Sequence, residues 1–245
     1  MLITTTNPLP GTIKDPRYPE SDGQPMGETQ FHILAIMHLY EALDYFFRNH
    51  ADVYVAVDMF MYYEQGNPSA CKAPDVFVAK GVQGKHSRRS FRIWEEGVAP
   101  TVIFEVTSDK SRYEDQEAKP RVYAALGVSE YFVFDPDSNH RNPTLEGFRL
   151  DGGVYQPLPL DEAGRLKSQE LGLALESERP LLRLIDLRTG RRIRTYSEKA
   201  DEADAERARA NIELARANAE FARTAELEAE LARLRALPNR PQPPN

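Results

Sequence analysis

The chain has 245 residues but only one cysteine, Cys71, and no apolar run that approaches a membrane span. A single thiol excludes an intrachain disulfide and fits a reducing cytoplasm. A spanning helix needs roughly 18 consecutive apolar residues, so none is expected. Met1 to Lys14 shows no charged-then-apolar signal pattern. These absences together predict a soluble cytoplasmic protein with no membrane partner. A basic surplus is missing as well. The net charge is −7, and from Ser197 onward eight Lys/Arg face ten Asp/Glu, so that segment and the part before it are both mildly acidic. Any contact with a polyanion must come from a local patch rather than the overall field. The chain also lacks a glycine-rich phosphate loop and a nucleophile elbow.

What is present is an ordinary globular composition, 41% hydrophobic and 28% charged, with enough length for one good-sized core and an appendage. Residues 1–27 are rich in Thr, Pro, Gly and Asp without periodicity and read as an N-terminal arm. The spacing of Phe31, Leu34, Met37, Leu39, Leu43 and Phe46 or Phe47 predicts a helix over about Thr29–Arg48. Val53–Tyr63 is a β-branched and aromatic run, the pattern of one long strand. Asp75–Ala79 reads as a short strand behind Pro74. Val102–Val106 reads as a central strand buried on both faces, and Tyr131–Asp135 as another. Between them, Ser111–Leu126 is helical in pattern with Gly127 as its stop. Pro120 implies either a kink or a helix that starts near Lys119. Leu145–Leu150 and Val154–Leu158 form a predicted hairpin, and Leu171–Leu175 and Leu181–Leu187 are short apolar segments. Glu198–Leu237 has neither Gly nor Pro and reads as a helix of about 40 residues, roughly 60 Å long. Its loose stripe of Leu214, Phe221, Leu227, Leu231 and Leu234 fits either a solvated charged helix or a self-pairing coiled coil. Pro238–Asn245 reads as a disordered tail. The organisation predicted is an arm (1–27), a folded domain (28–196), a helical extension (197–237) and a tail (238–245).

Glu105 interrupts the central strand, and a buried carboxylate demands a cation or a proton donor as partner. Lys119, in the following helix, is the natural one. Asp75 starts the preceding strand. Two carboxylates on neighbouring strands can hold a divalent cation through oxygen, with the Val106 carbonyl as a third ligand. The alternative is structural: Asp75 caps a turn, and Glu105 pairs with Lys119 in the core. Asp115 stands four residues before Lys119, at pairing distance if the helix is continuous. Lys80, Lys85, Arg88, Arg89 and Arg92 form the one concentrated basic stretch without an intervening acid, either a phosphate-holding loop or a solvated one. His32 reads as a hydrogen-bonding strut, and nothing distinguishes Asp58. Cys71 has no partners at metal spacing.

Pro74-Asp75-Val76-Phe77-Val78, Glu105-Val106-Thr107-Ser108, Asp115 with Lys119 and Tyr123, Leu126-Gly127-Val128 and Tyr131-Phe132-Val133-Phe134-Asp135-Pro136 together resemble the Uma-two family of putative restriction endonucleases, part of the PD-(D/E)XK nuclease-like superfamily. The resemblance runs from about Tyr18 to Tyr196. It implies an α/β (α+β) mixed sheet with a restriction-endonuclease-like core, here carrying the long C-terminal helix, and Mg2+- or Mn2+-dependent hydrolysis of DNA. Asp75 and Glu105 match the family's metal-binding acids. Thr107 stands where the superfamily has its lysine, and Lys119 takes that place from the following helix. Glu28 is similar to an acid that the first helix contributes to the metal shell. Pro120 departs from the usual apolar residue and puts the direction of Lys119 in question. A homodimer is compatible with both the resemblance and the helical stripe. Two other functions fit the same residues: a nuclease-fold binding module without turnover, and an assembly protein acting through its helix.

Overall fold

The computed structural model describes residues 9–21, 23, 28–107, 118–137 and 144–235. Asp115 and the tail after Leu237 lie outside them. The first helix, α1, runs Gln30–Phe46, with the Thr29 hydroxyl accepting from the His32 amide at 3.3 Å as its N-cap. Its buried face is His32, Ala35, Ile36, Leu39, Ala42 and Leu43. The predicted helix is therefore present, but Phe31, Leu34 and Met37 are about half exposed and do not belong to the core face. Small Ala35 and Ala42 take the inward positions and let the helix lie close to the sheet.

The predicted long strand is two. β1 (Val53–Val57) ends at Asp58, which adopts a left-handed φ of 43°, and β2 (Met61–Tyr62) leaves in another sheet. The Asp58 amide donates to the Asp75 carbonyl at 3.0 Å, so the break ties the end of β1 to the residue just before the Val76–Lys80 strand. Next come β3 (Cys71–Lys72), β4 (Val76–Lys80), β5 (Phe91–Arg92) and the one-turn α2 (Ile93–Glu96). β6 (Val102–Val106), α3 (Lys119–Ala125) and β7 (Glu130–Phe134) follow. The chain continues through β8 (Leu145–Asp151), β9 (Val154–Pro157), β10 (Leu166–Ser168), β11 (Leu173–Glu178) and β12 (Leu181–Asp186).

Six strands form the main sheet in the order β1-β4-β6-β7-β8-β9. Only β6 and β7 pair in parallel, joined by the crossover that carries α3, and the other neighbours are antiparallel. Two smaller sheets are β10-β11-β12 and β3-β2-β5. Both central strands are buried at every position. Val102, Phe104 and Val106 pack with α1 and the β10-β11-β12 sheet, whereas Ile103 packs with Tyr123 of α3. By the period of two along a strand, Glu105 shares the α3 face with Ile103. Gly147 of β8 admits no side chain, since a Cβ there meets the Phe132 ring at 2.7 Å and Leu166 at 2.8 Å.

Residues 1–196 form one compact unit and residues 197–245 a second. The last helix, α4 (Tyr196–Arg235), has 40 residues with none buried, and all but its first residue fall in the second unit. Ile212, Leu214, Phe221, Leu227, Leu231 and Leu234 are all exposed on it. Among the described residues no helix is long and apolar enough to cross a membrane.

Candidate active site

The ladder between β4 and β6 pairs Val76 with Phe104 and Phe77 with Ile103. Continued by one step, it sets Asp75 across from Glu105 at the carboxyl end of β6. Asp75 Oδ2 accepts from the Val106 amide at 2.6 Å, which clips the carboxylate to that end of the strand. His32, in the first turn of α1, brings its Nε2 to 3.8 Å from Asp75 Oδ1.

Glu105 is fully buried. Its Oε2 accepts from Lys119 Nζ at 2.8 Å and its Oε1 from the Tyr123 hydroxyl at 2.7 Å. The two donors are four residues apart, one turn of α3, and so lie on the same face of that helix. Pro120 occupies the first turn of α3, where a missing N–H leaves no intrahelical bond unmade. The question that Pro120 raised is answered, because Lys119 reaches Glu105. The Thr107 amide and hydroxyl both bond the Phe134 carbonyl, at 2.8 and 3.3 Å, tying the ends of β6 and β7 together.

Asp75, Glu105, Val106 and Lys119 are thus brought to one end of the sheet. Glu28 is exposed and, among the described residues, no three His, Cys, Asp or Glu side chains gather closely enough to hold a metal. Glu28 therefore does not complete a carboxylate trio with Asp75 and Glu105. The basic stretch is not brought there either. Lys80 ends β4, five residues beyond Asp75 and about 16 Å along the strand, and its ammonium bonds the Glu170 carbonyl. Lys85 bonds the Phe47 carbonyl at 2.6 Å. Arg88 and Arg92 are buried, paired with Glu96 and Glu95. Arg89 stays half exposed beside Glu20. The expectation of a phosphate-holding loop thus fails for Arg88 and Arg92, whose charges are consumed by internal acids distant in neither sequence nor space. Two concavities, of about 330 and 790 Å3, lie along β1 and beside the end of β4, and neither is lined by Asp75, Glu105 or Lys119.

Tyr123 and His32 belong to this end of the molecule although the sequence argument assigned them no catalytic part. The signal for Tyr123 was its spacing of four from Lys119; that for His32 was its place three residues after a capping threonine.

A family model described as "Putative restriction endonuclease" matches residues 8–184, nearly three quarters of the chain. The chain belongs to the Uma2 family. That match takes in Asp75, Glu105 and Lys119 and stops short of α4. No curated protein matches the chain. Among solved structures, a putative nuclease belonging to DUF820 from Anabaena variabilis ATCC 29413 is similar at 13% identity. The likeness covers 62% of this chain and 81% of that one, with a TM-score of 0.45.

Proposed function

We propose that this Uma2 member is a divalent-metal-dependent endonuclease that hydrolyses phosphodiester bonds in DNA. The observation that carries the reading is the meeting of Asp75 and Glu105 across two strands, with Lys119 seated on Glu105. The donor set suits a hard cation such as Mg2+ or Mn2+: two carboxylates and the main chain at Val106, all oxygen. Each carboxylate oxygen has two lone pairs, so the bonds from Lys119 and Tyr123 leave acceptor capacity on Glu105. When bound, the cation supplies Lewis-acid polarisation of the phosphate and a more acidic water.

The protein's own groups do the rest. Asp75 is oriented by the Val106 amide, and Glu105 by donors from α3. Lys119 is 12% exposed and carries a compact charge on a flexible stem. Its ammonium is placed to donate to a phosphate oxygen on which negative charge develops. Residues 28–196 are the nuclease body in this reading, residues 197–237 a separable extension through which a homodimer forms, and the cytoplasm the site of action.

The test is Mn2+ calorimetry and plasmid cleavage on the native chain, Asp75→Asn and Glu105→Gln. One Mn2+ site lost in both variants is expected, with cleavage reduced by more than the roughly 10–100-fold that losing an outer-shell partner brings. Cleavage that survives either substitution overturns the reading. A second reading rests on the completed Glu105–Lys119–Tyr123 cluster, which satisfies itself without a metal: a nuclease-fold binding module. No Mn2+ binding by the native chain selects it.

A further inference from the structure

Glu105 has two donors from one turn of α3, and they are not equivalent. Tyr123 is fully buried, its ring 5.6 Å from that of Tyr131, and its own carbonyl accepts from the Val128 amide at 3.0 Å. That packing leaves its hydroxyl no path to solvent. Lys119 approaches the other oxygen with part of its side chain in solvent. A charged oxygen held by a flexible ammonium can exchange that partner for another cation, whereas one held by a locked hydroxyl cannot.

We infer that Tyr123 is a positioning residue that fixes Glu105 through Oε1, while Lys119 is the exchangeable partner that yields Oε2 when a divalent cation arrives. This rests on the metal-dependent reading above and adds a division of labour between the two donors. Removing the hydroxyl frees the carboxylate to rotate and so weakens cation binding. Removing the ammonium removes a competitor for the same oxygen. The two substitutions therefore act on cation affinity in opposite directions, although each deletes a single donor to the same carboxylate. A purely structural cluster predicts no such difference.

The experiment is Mn2+ calorimetry on the full-length native chain, Tyr123→Phe and Lys119→Met, with DNA cleavage followed at saturating Mn2+. Tyr123→Phe keeps the ring and its packing. It is expected to bind Mn2+ about 10–100-fold more weakly and to lower kcat with KM for DNA unchanged. Lys119→Met is expected to bind Mn2+ as tightly as the native chain or more tightly, while cleavage falls. Native affinity in Tyr123→Phe overturns the inference, as does weakened Mn2+ binding in Lys119→Met. The Lys119→Met result decides by itself if Tyr123→Phe does not fold. A native chain that binds no Mn2+ overturns the metal-dependent reading and this inference with it, an outcome distinguishable from both of the others.

Discussion

Two buried carboxylates in the same domain each hold a cation, and they hold it in different ways. Glu96 takes the Arg88 guanidinium in a fork, Nε to Oε1 at 2.6 Å and Nη2 to Oε2 at 3.0 Å. Both side chains are fully excluded from water. Two further guanidinium hydrogens go to the His86 and Gly84 carbonyls, and the Tyr54 ring lies 4.1 Å from the charge. Each guanidinium nitrogen is bonded within the protein and both side chains are dry, so the pair is closed to a ligand. Glu105 instead divides its oxygens between a lysine and a tyrosine, and its lysine keeps 12% of its side chain exposed. The comparison teaches that burial of an acid does not mark a site. On the proposed reading, what marks it is a partner that can leave, next to a second group of the same sign.

The largest effect that sharpens this contrast is Arg88→Met. It strands Glu96 in a dry interior and is expected to cost about 3–5 kcal/mol, the loss typical when one member of a buried pair is removed. Urea unfolding measures it, and a loss below 1 kcal/mol breaks the comparison. Lys119→Met comes next. Tyr123 still donates to Glu105, and water reaches the vacated position. The expected loss is therefore near that of one hydrogen bond to a charged group, about 1.5–3 kcal/mol. A larger loss than that of Arg88→Met in the same titration reverses the assignment of the two pairs.

The smallest effect concerns Cys71, an ionisable group outside both pairs. Burial pushes its thiol up to about 11, against weaker downward pulls from Tyr62 and Lys72. The folded value lies above that of an ordinary thiol, so the folded chain keeps its proton when the unfolded chain has lost it. The contribution to stability is complete below about pH 9 and declines as the pH rises toward 11. Urea midpoints of the native chain and Cys71→Ala are therefore expected to converge or cross over that range. Slow alkylation of Cys71 by iodoacetamide at neutral pH is the companion observation, since the thiolate is the nucleophile.

Much of the candidate site could be read from the chain. A charged residue inside Val102–Val106 demanded a partner. Lys119 was a reachable one, because a strand and the helix that follows it pack face to face. The main strands and α1 were legible from periodicity. The break at Asp58 was not, because the residues on both sides of that single acid keep the strand pattern and a lone charge does not distinguish one strand from two. The inward face of α1 was misread for a related reason. Phe31, Leu34 and Met37 are apolar and suitably spaced, but the sheet accepts Ala35 and Ala42 more closely. The role of the basic stretch was hidden because its acids, Glu95 and Glu96, follow the run instead of interrupting it.

Sequence by itself determined most of the local elements, the family, and the need for Glu105 to have a partner, since each depends on residues near in the chain or on the cost of burying charge. Tertiary structure alone decided which charges are spent. The register that sets Asp75 beside Glu105 is a relation between strands some thirty residues apart. The fork that closes Arg88 on Glu96 depends on Tyr54 and on carbonyls brought in by the fold. Pairing, exposure and register are properties of long-range packing, and no window along the chain contains them.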